Sequence, residues 1–357
     1  MLTCTFYKAL VFLLILITGA PAAGAAVLTL DVCTPEALRA LMAGAVDGDV
    51  LLLPACTITV TGAAGDDANV SGDFDIATSI TLQGVGPDAT ILDGGGLERV
   101  LDIRPGAAVV VADLTVRNGA VPGTESGGGI RNEEVLTLLN VLVTGNTAGG
   151  GGGGIGCTFV TKTLGVRGSR ITGNSAGGLG GGIGSDTGCD VLVAASSIVG
   201  NRAGGGGGIA VLSRAITVRD STVADNTAAG SGGGIDVGFG GDLTVERSTV
   251  SGNAAGASGG GLRLNDSVDG TLHNTTVAYN RSHGDGGGID LTIGDETLTL
   301  VHSTIARNTD AGNAASGAGG VAKPGGILNV PQQRHRREHG RARDPGGQRG
   351  RRRDDLE

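Results

Sequence analysis

A repeat of about 27 residues, copied along most of the chain, constrains the fold more than any other feature. A Gly-Gly-Gly-Ile anchor ends at Ile130, Ile155, Ile183, Ile209, Ile235, Leu262 and Ile289, with a looser copy at Val321. The successive gaps are 25, 28, 26, 26, 27, 27 and 32 residues. A second anchor, Val/Ile-x-x-Asn, keeps the same period and places Asn146, Asn174, Asn201, Asn226, Asn253, Asn280 and Asn308. Two anchors in one period mark a repeat architecture, in which each unit buries its apolar face only by stacking on its neighbours.

The period inside each unit is that of a strand. In Asp242-Leu243-Thr244-Val245-Glu246-Arg247 the apolar residues are two apart, not three or four. Helices tolerate glycine poorly, and 70 of the 357 residues are glycine. Each unit therefore reads as about three short strands, each pairing with its equivalent one repeat along. The expected fold is all-β: a right-handed, single-stranded parallel β-helix, or solenoid, of about ten turns. The glycines supply backbone freedom at corners. The asparagines suit tight turns with φ > 0, their amides stacking as a structural ladder; a binding array is the other use such a row has.

Residues 1–25 read as a secretory signal: Lys8, an apolar run over 9–17, then Ala23-Gly24-Ala25 as a cleavage site. The run is too short to span a membrane, so the mature chain has no transmembrane segment and begins near Ala26. Residues 26–60 hold a capping helix and the first strands. Thr34 caps the helix, Pro35 opens it, Leu38, Leu41 and Met42 form its apolar face, and Gly44 ends it. Solenoid ends expose unpaired strand edges, which such a cap covers. Residues 61–330 carry the repeats, and 331–357 form a basic tail.

With Cys4 removed, four cysteines remain in an exported chain, an even number that favours disulfides. The local pairs are Cys33 with Cys56 and Cys157 with Cys189; other connectivities and free thiols are the alternatives. The loop over 61–75, with Asp66, Asp67, Asp73 and Asp75, has no calcium-ligand spacing and reads as solvated. His273, His283 and His302 occupy different places in their repeats, so no metal site is expected, and nothing implies a cofactor. Five of the 35 acids and nine of the 26 Lys and Arg lie in the tail, leaving a net charge of −13 before it, which disfavours nucleic acid.

The strongest candidate for chemistry follows the anchor by one position. Asp236, Arg263 and Asp290 are expected to line up on the outer face in three consecutive turns. The two acids would lie about 9.6 Å apart along the backbone, near the separation of an inverting carboxyl pair. An alternating charge ladder that only stabilises the sheet is the other reading. Aromatic residues suited to a sugar groove are scarce: Tyr279, Phe74, Phe159 and Phe239 are all that remain after the signal.

With both anchors in place, the chain resembles the secreted right-handed parallel β-helix repeat proteins of bacteria. Its repeats are similar to those of polymorphic outer-membrane proteins, with Gly-Gly-x-Ile kept and the aromatic of aromatic-x-x-Asn replaced, as in Val250-Ser251-Gly252-Asn253. Cys33-Thr34-Pro35-Glu36-Ala37-Leu38 resembles the start of the Cys-Ser-Leu-Arg-Glu-Ala type of β-helix protein. The resemblance covers about residues 33–330. It implies an exported or cell-surface, adhesin-like protein without a fixed catalytic set. Its partner would be a surface ligand, either a polysaccharide or a host or envelope protein. A polysaccharide lyase or glycosidase using Asp236, Arg263 and Asp290, and a plain structural spacer, are the alternative functions.

The tail reads as out of frame. The repeat breaks off in mid-turn after Val330, and arginine replaces the aliphatic residues. Residues 331–340 can be encoded as CCG CAA CAG CGT CAT CGC CGG GAA CAC GGG. Read one base later, those codons give RNSVIAGNT, which matches Ser303-Thr304-Ile305-Ala306-Arg307-Asn308-Thr309. A genuine basic tail is the alternative. Resequencing across codons 325–335 is expected to reveal a one-base shift. An intact frame whose downstream bases hide no further repeat would refute it.

Overall fold

The alternation in each repeat becomes four strands, not three. The computed structural model describes residues 24–62, 69–158, 162–185, 189–292, 294–311, 319–323 and 327–330. One turn runs through Ile235–Gly238, Asp242–Glu246, Thr249–Ser251 and Ala254–Ala255. Every strand pairs in parallel with its equivalent in the next turn, so that Ile235 meets Leu262, Val245 meets Leu272, Val250 meets Val277 and Ala255 meets Ser282. The stacked strands form one sheet of twelve, two of ten and one of eight. The fourth strand escapes the sequence pattern because two residues are too few to show alternation.

Inward side chains stack in columns. Ile130, Ile155, Ile183, Ile209, Ile235, Leu262 and Ile289 are in continuous register and wholly buried. Their glycines are required by the close approach of neighbouring turns. A Cβ on Gly233 would lie 2.3 Å from the Gly260 carbonyl oxygen, so any larger residue would push the turns apart.

Two corners per turn carry ladders of side-chain hydrogen bonds. At the first, Asn253 Oδ1 accepts from both the backbone N–H and the Nδ2 of Asn226, each at 3.0 Å. Its own Nδ2 donates to the Val223 carbonyl, and its N–H and Nδ2 donate to Asn280 Oδ1. The pattern runs from Asn146 through Asn174, Asn201 and Asn226 to Asn308. The expected φ > 0 falls one residue earlier than the asparagine, at Gly252 (φ 67) and likewise at Asp225, Tyr279 and Arg307. That preceding residue makes the bend and leaves Asn253 aimed into the interior.

The second corner has a ladder that the repeat reading missed. Ser169 N–H donates to Ser196 Oγ, Ser196 N–H to Ser221 Oγ, and Ser221 N–H to Ser248 Oγ. Thr275 and Ser303 continue the row. Its signal was a Ser or Thr two residues before the Val or Ile of the second anchor in every copy from Ile171 onward.

At the N-terminal end, the helix Pro35–Ala43 is capped by Thr34, whose Oγ1 accepts from Ala37 N–H, and Leu38 and Met42 enter the core. Ahead of it, Val27–Thr29 pairs with Val50–Leu52. Most of the signal segment and the whole tail lie outside the described residues, as do Asp66 and Asp67. Among the described residues, no helix is long and apolar enough to cross a membrane.

Truncating Asn253 would strip the acceptor from two buried donors. Asn253→Ala is therefore expected to cost about 2 kcal/mol, while Glu246→Ala, at a half-exposed outward position, stays within about 0.5 kcal/mol. Denaturation midpoints of the two variants check this.

Candidate functional site

One row of outward positions crosses the ten-stranded sheet that carries the glycine anchors. It reads Asp75, Asp102, Arg131, Gly156, Gly184, Ala210, Asp236, Arg263, Asp290 and Ala322, each paired with the next. The row places Asp236, Arg263 and Asp290 in consecutive register. They do not stand on an open face: Asp236 is 5% exposed and Asp290 4%. The cover comes from the glycine stretch just upstream. At Gly232 (φ 67) the chain folds back so closely that a Cβ there would lie 2.5 Å from the Asp236 Cβ.

Arg263 engages Asp236 and Asn265. Arg263 Nη1 lies 3.4 Å from both carboxylate oxygens of Asp236, and its Nη2 donates to Asn265 Oδ1 at 3.1 Å. Burial outweighs the guanidinium and pushes the Asp236 carboxyl up to about 6. Asp290 is also pushed up to about 6, chiefly by burial, with Arg263 opposing and Asp285 and Glu296 adding repulsion. A substrate approaching from solvent meets the covering glycine loops before these carboxyls.

The other end of the row holds a charge cluster, and in it Asp73 and Asp75, expected in a solvated loop, are buried at the start of the glycine-anchor sheet. Arg131 forks onto the fully buried Asp102, its Nε at 2.8 Å from Oδ1 and its Nη2 on Oδ2. Arg104 Nη1 reaches Asp102 at 2.8 Å and Asp75 at 3.8 Å. Arg99 bridges Asp73 and Glu125, each at 3.2 Å. Burial pushes the Asp73 carboxyl up to about 7 in spite of Arg99. A cavity of about 520 Å³ lies beside this cluster, between the capping helix and the first full turn, with Arg39, Met42, Asn69, Asp75 and Arg104 in its walls. The signal was the dipeptide Asp-Ile, at Asp75-Ile76 and Asp102-Ile103, in turns without the glycine anchor.

The twelve-stranded sheet carries a shallow groove of about 430 Å³ on its outer face. Its floor is the outward row Thr137, Gly165, Leu192 and Thr217, in continuous register. Gly165 sinks the floor where its neighbours raise side chains, and exposed Arg167 and Asp190 stand at the rim.

Cys33 and Cys56 are bonded at 2.19 Å with Cα atoms 6.3 Å apart, and Cys157 is bonded to Cys189 with a Cα separation of 5.9 Å. His273 and His302 lie closer than their repeat positions suggested, with ring centroids 5.7 Å apart. Among the described residues, no group of three or more metal-ligating side chains converges.

In sequence, residues 169–323 match the family described as the right-handed beta helix region. No curated protein matches the chain in sequence. In structure it is similar to pectate lyase Pel9A, at 14% identity and a TM-score of 0.48 over 87% of this chain and 80% of that one. It is also similar to the PL6 family alginate lyase AlyGC, at 13% identity and a TM-score of 0.39 over 87% of this chain and 41% of the other. The A-module of the Azotobacter vinelandii mannuronan C-5 epimerase AlgE6 aligns at 16% identity and a TM-score of 0.29, over 84% of this chain and 96% of that module. The fold is a right-handed parallel β-helix of about ten turns.

The buried acids give stability a pH dependence. Asp236 and Asp290 have folded-state values near 6 against an ordinary 3.8, so the native state holds the extra protons between those limits. Their contribution is complete below the lower value and is lost as pH rises through the upper one. Relative to wild type, the Asp236→Asn/Asp290→Asn protein is expected to lose less stability between about pH 4 and pH 7. Urea midpoints at the two pH values test this.

Proposed function

We propose that this is an exported, surface-associated, adhesin-like β-helix protein that binds an extended glycan of a cell surface or envelope and does not cleave it. The observation that carries the reading is the groove over Thr137, Gly165, Leu192 and Thr217. It is open and lies along the stacking axis, and hydroxyls and one charge of each sign border it. Those are features of a site that holds a polymer by hydrogen bonds along its length. The buried charge row lacks that access. A secretory signal is consistent with such a role.

A lyase or glycosidase reading draws on one specific observation, that Asp236 and Asp290 flank Arg263 and both titrate near 6. Incubation with a panel of neutral and uronic-acid polymers is expected to yield no cleavage products. Cleavage that disappears in both Asp236→Asn and Asp290→Asn would establish the enzyme instead.

The groove itself is testable with little strain. A Cβ at Gly165 meets only ordinary contacts, 3.6 Å from Thr137 Oγ1 at the nearest. Gly165→Leu is expected to fill the groove, leave the melting temperature near that of wild type, and weaken glycan retention in affinity electrophoresis by about tenfold.

A further inference from the structure

The corner that follows the glycine-anchored strand is left-handed in three consecutive turns. Ser213 takes φ 64 there, Asp266 φ 56 and Ser267 φ 62, all short polar residues that tolerate this conformation. In the turn between them the same corner holds Phe239, at φ 58, followed by Gly240 at φ 72. The equivalence is fixed by the backbone: Ser213 N–H donates to the Gly238 carbonyl and Phe239 N–H to the Asn265 carbonyl. A bulky residue at φ > 0 is a steric outlier. This one is also 58% exposed, so burial of its ring does not offset the strain. Only three phenylalanines remain after the signal, and the turns on either side use serine and aspartate at this place. Tyr279 takes the same conformation, φ 59, at the asparagine corner, so what sets Phe239 apart is its place, where the equivalent residues of both adjoining turns are short and polar.

We infer that Phe239 is the platform of a sugar subsite, its exposed ring stacking on the face of a neutral pyranose. The inference rests on the glycan-binding reading and supplies the ligand class. Next to Phe239 in the chain, Gly238 pairs with Asn265 of the following turn. Arg263 donates to Asn265 Oδ1, and Asn265 Nδ2 donates to Asp266 Oδ2 at 2.6 Å. Arg263 has 27% of its side chain exposed. An exposed aromatic with a guanidinium, an amide and a carboxylate on the paired segment of the next turn suits a ring with an apolar face and a rim of hydroxyls. The charge balance selects against uronates. Asp236 and Asn265 already engage the guanidinium, while Asp242, Asp266 and Asp290 make the surroundings acidic.

The subsite also continues the groove. The chain passes from Phe239 into Asp242–Glu246, which pairs with Ile216–Arg219, the strand that carries Thr217 in the groove floor. From the Gly165 turn to the Phe239 turn is three ladder steps, about 14 Å, a span for a short oligosaccharide lying along the axis.

The test uses the full chain in affinity electrophoresis through gels containing laminarin, xyloglucan, alginate or polygalacturonate, with thermal melting alongside. The variants are Phe239→Gly, Phe239→Ser and Gly165→Leu. Expected is retention by a neutral glycan that falls about tenfold in both Phe239 variants, while Phe239→Gly melts no lower than wild type because the corner is relieved. A merely structural Phe239 would give the reverse, a lower melting temperature with retention unchanged. Retention that Gly165→Leu weakens and Phe239→Gly does not would overturn the subsite and leave the groove standing. Stronger retention by alginate or polygalacturonate than by the neutral glycans would overturn the ligand class. No retention by any of the four would overturn both the subsite and the groove.

Discussion

The fold depends on a hydrogen bond that no single turn can make for itself. Asn253 places its Oδ1 where two donors of the preceding turn converge, while its N–H and Nδ2 donate to the following asparagine and its Nδ2 also reaches back to a carbonyl of the preceding turn. Because these groups are buried, a slip of one residue in any turn would leave several of them unpaired in a water-free interior. The ladder therefore fixes the register of all four sheets at once. The apolar columns supply most of the driving force, but alternation alone would tolerate a shift by two residues. The serine ladder applies the same constraint at the other end of the short strand Thr249–Ser251 and its equivalents.

This division explains what the sequence made legible. The repeat length, the parallel pairing and the inward column of Ile235 and its equivalents are periodic, and periodicity is visible in one sequence. The capping helix was legible for a different reason, since Thr34, Pro35 and Gly44 are local signals. The two-residue strand Ala254–Ala255 was not, because it has no period to show. The left-handed residue was placed one position late, on the asparagine, because asparagine tolerates φ > 0. Tertiary structure instead needed its side chain inside, and assigned the bend to Gly252.

The candidate site was legible only as an alignment. Register put Asp236, Arg263 and Asp290 in one row, as their offset from the anchor implied. Their burial was not legible, because the cover is made by a stretch that reads merely as glycine. Asp75 and Asp102 occupy the same row and were missed for want of the anchor, whereas Arg131 follows the anchored Ile130 and shows its meaning only through its pairing with Asp102. Phe239 was counted as one of few aromatics, but its meaning came from the serine and aspartate that occupy the same corner in adjoining turns, a comparison that needs the stacking to be known.

The direction of the asparagine ladder bears on how the protein is made. From Asn146 to Asn280 each rung's backbone N–H donates toward the C-terminus and its Oδ1 accepts from the N-terminal side. A chain delivered N-terminus first thus presents a finished stack whose newest corner holds out two bare N–H groups. The next turn to arrive carries the matching oxygen, so each completed turn acts as a mould for its successor. Assembly can then advance as a moving front, one rung at a time, as the chain is delivered.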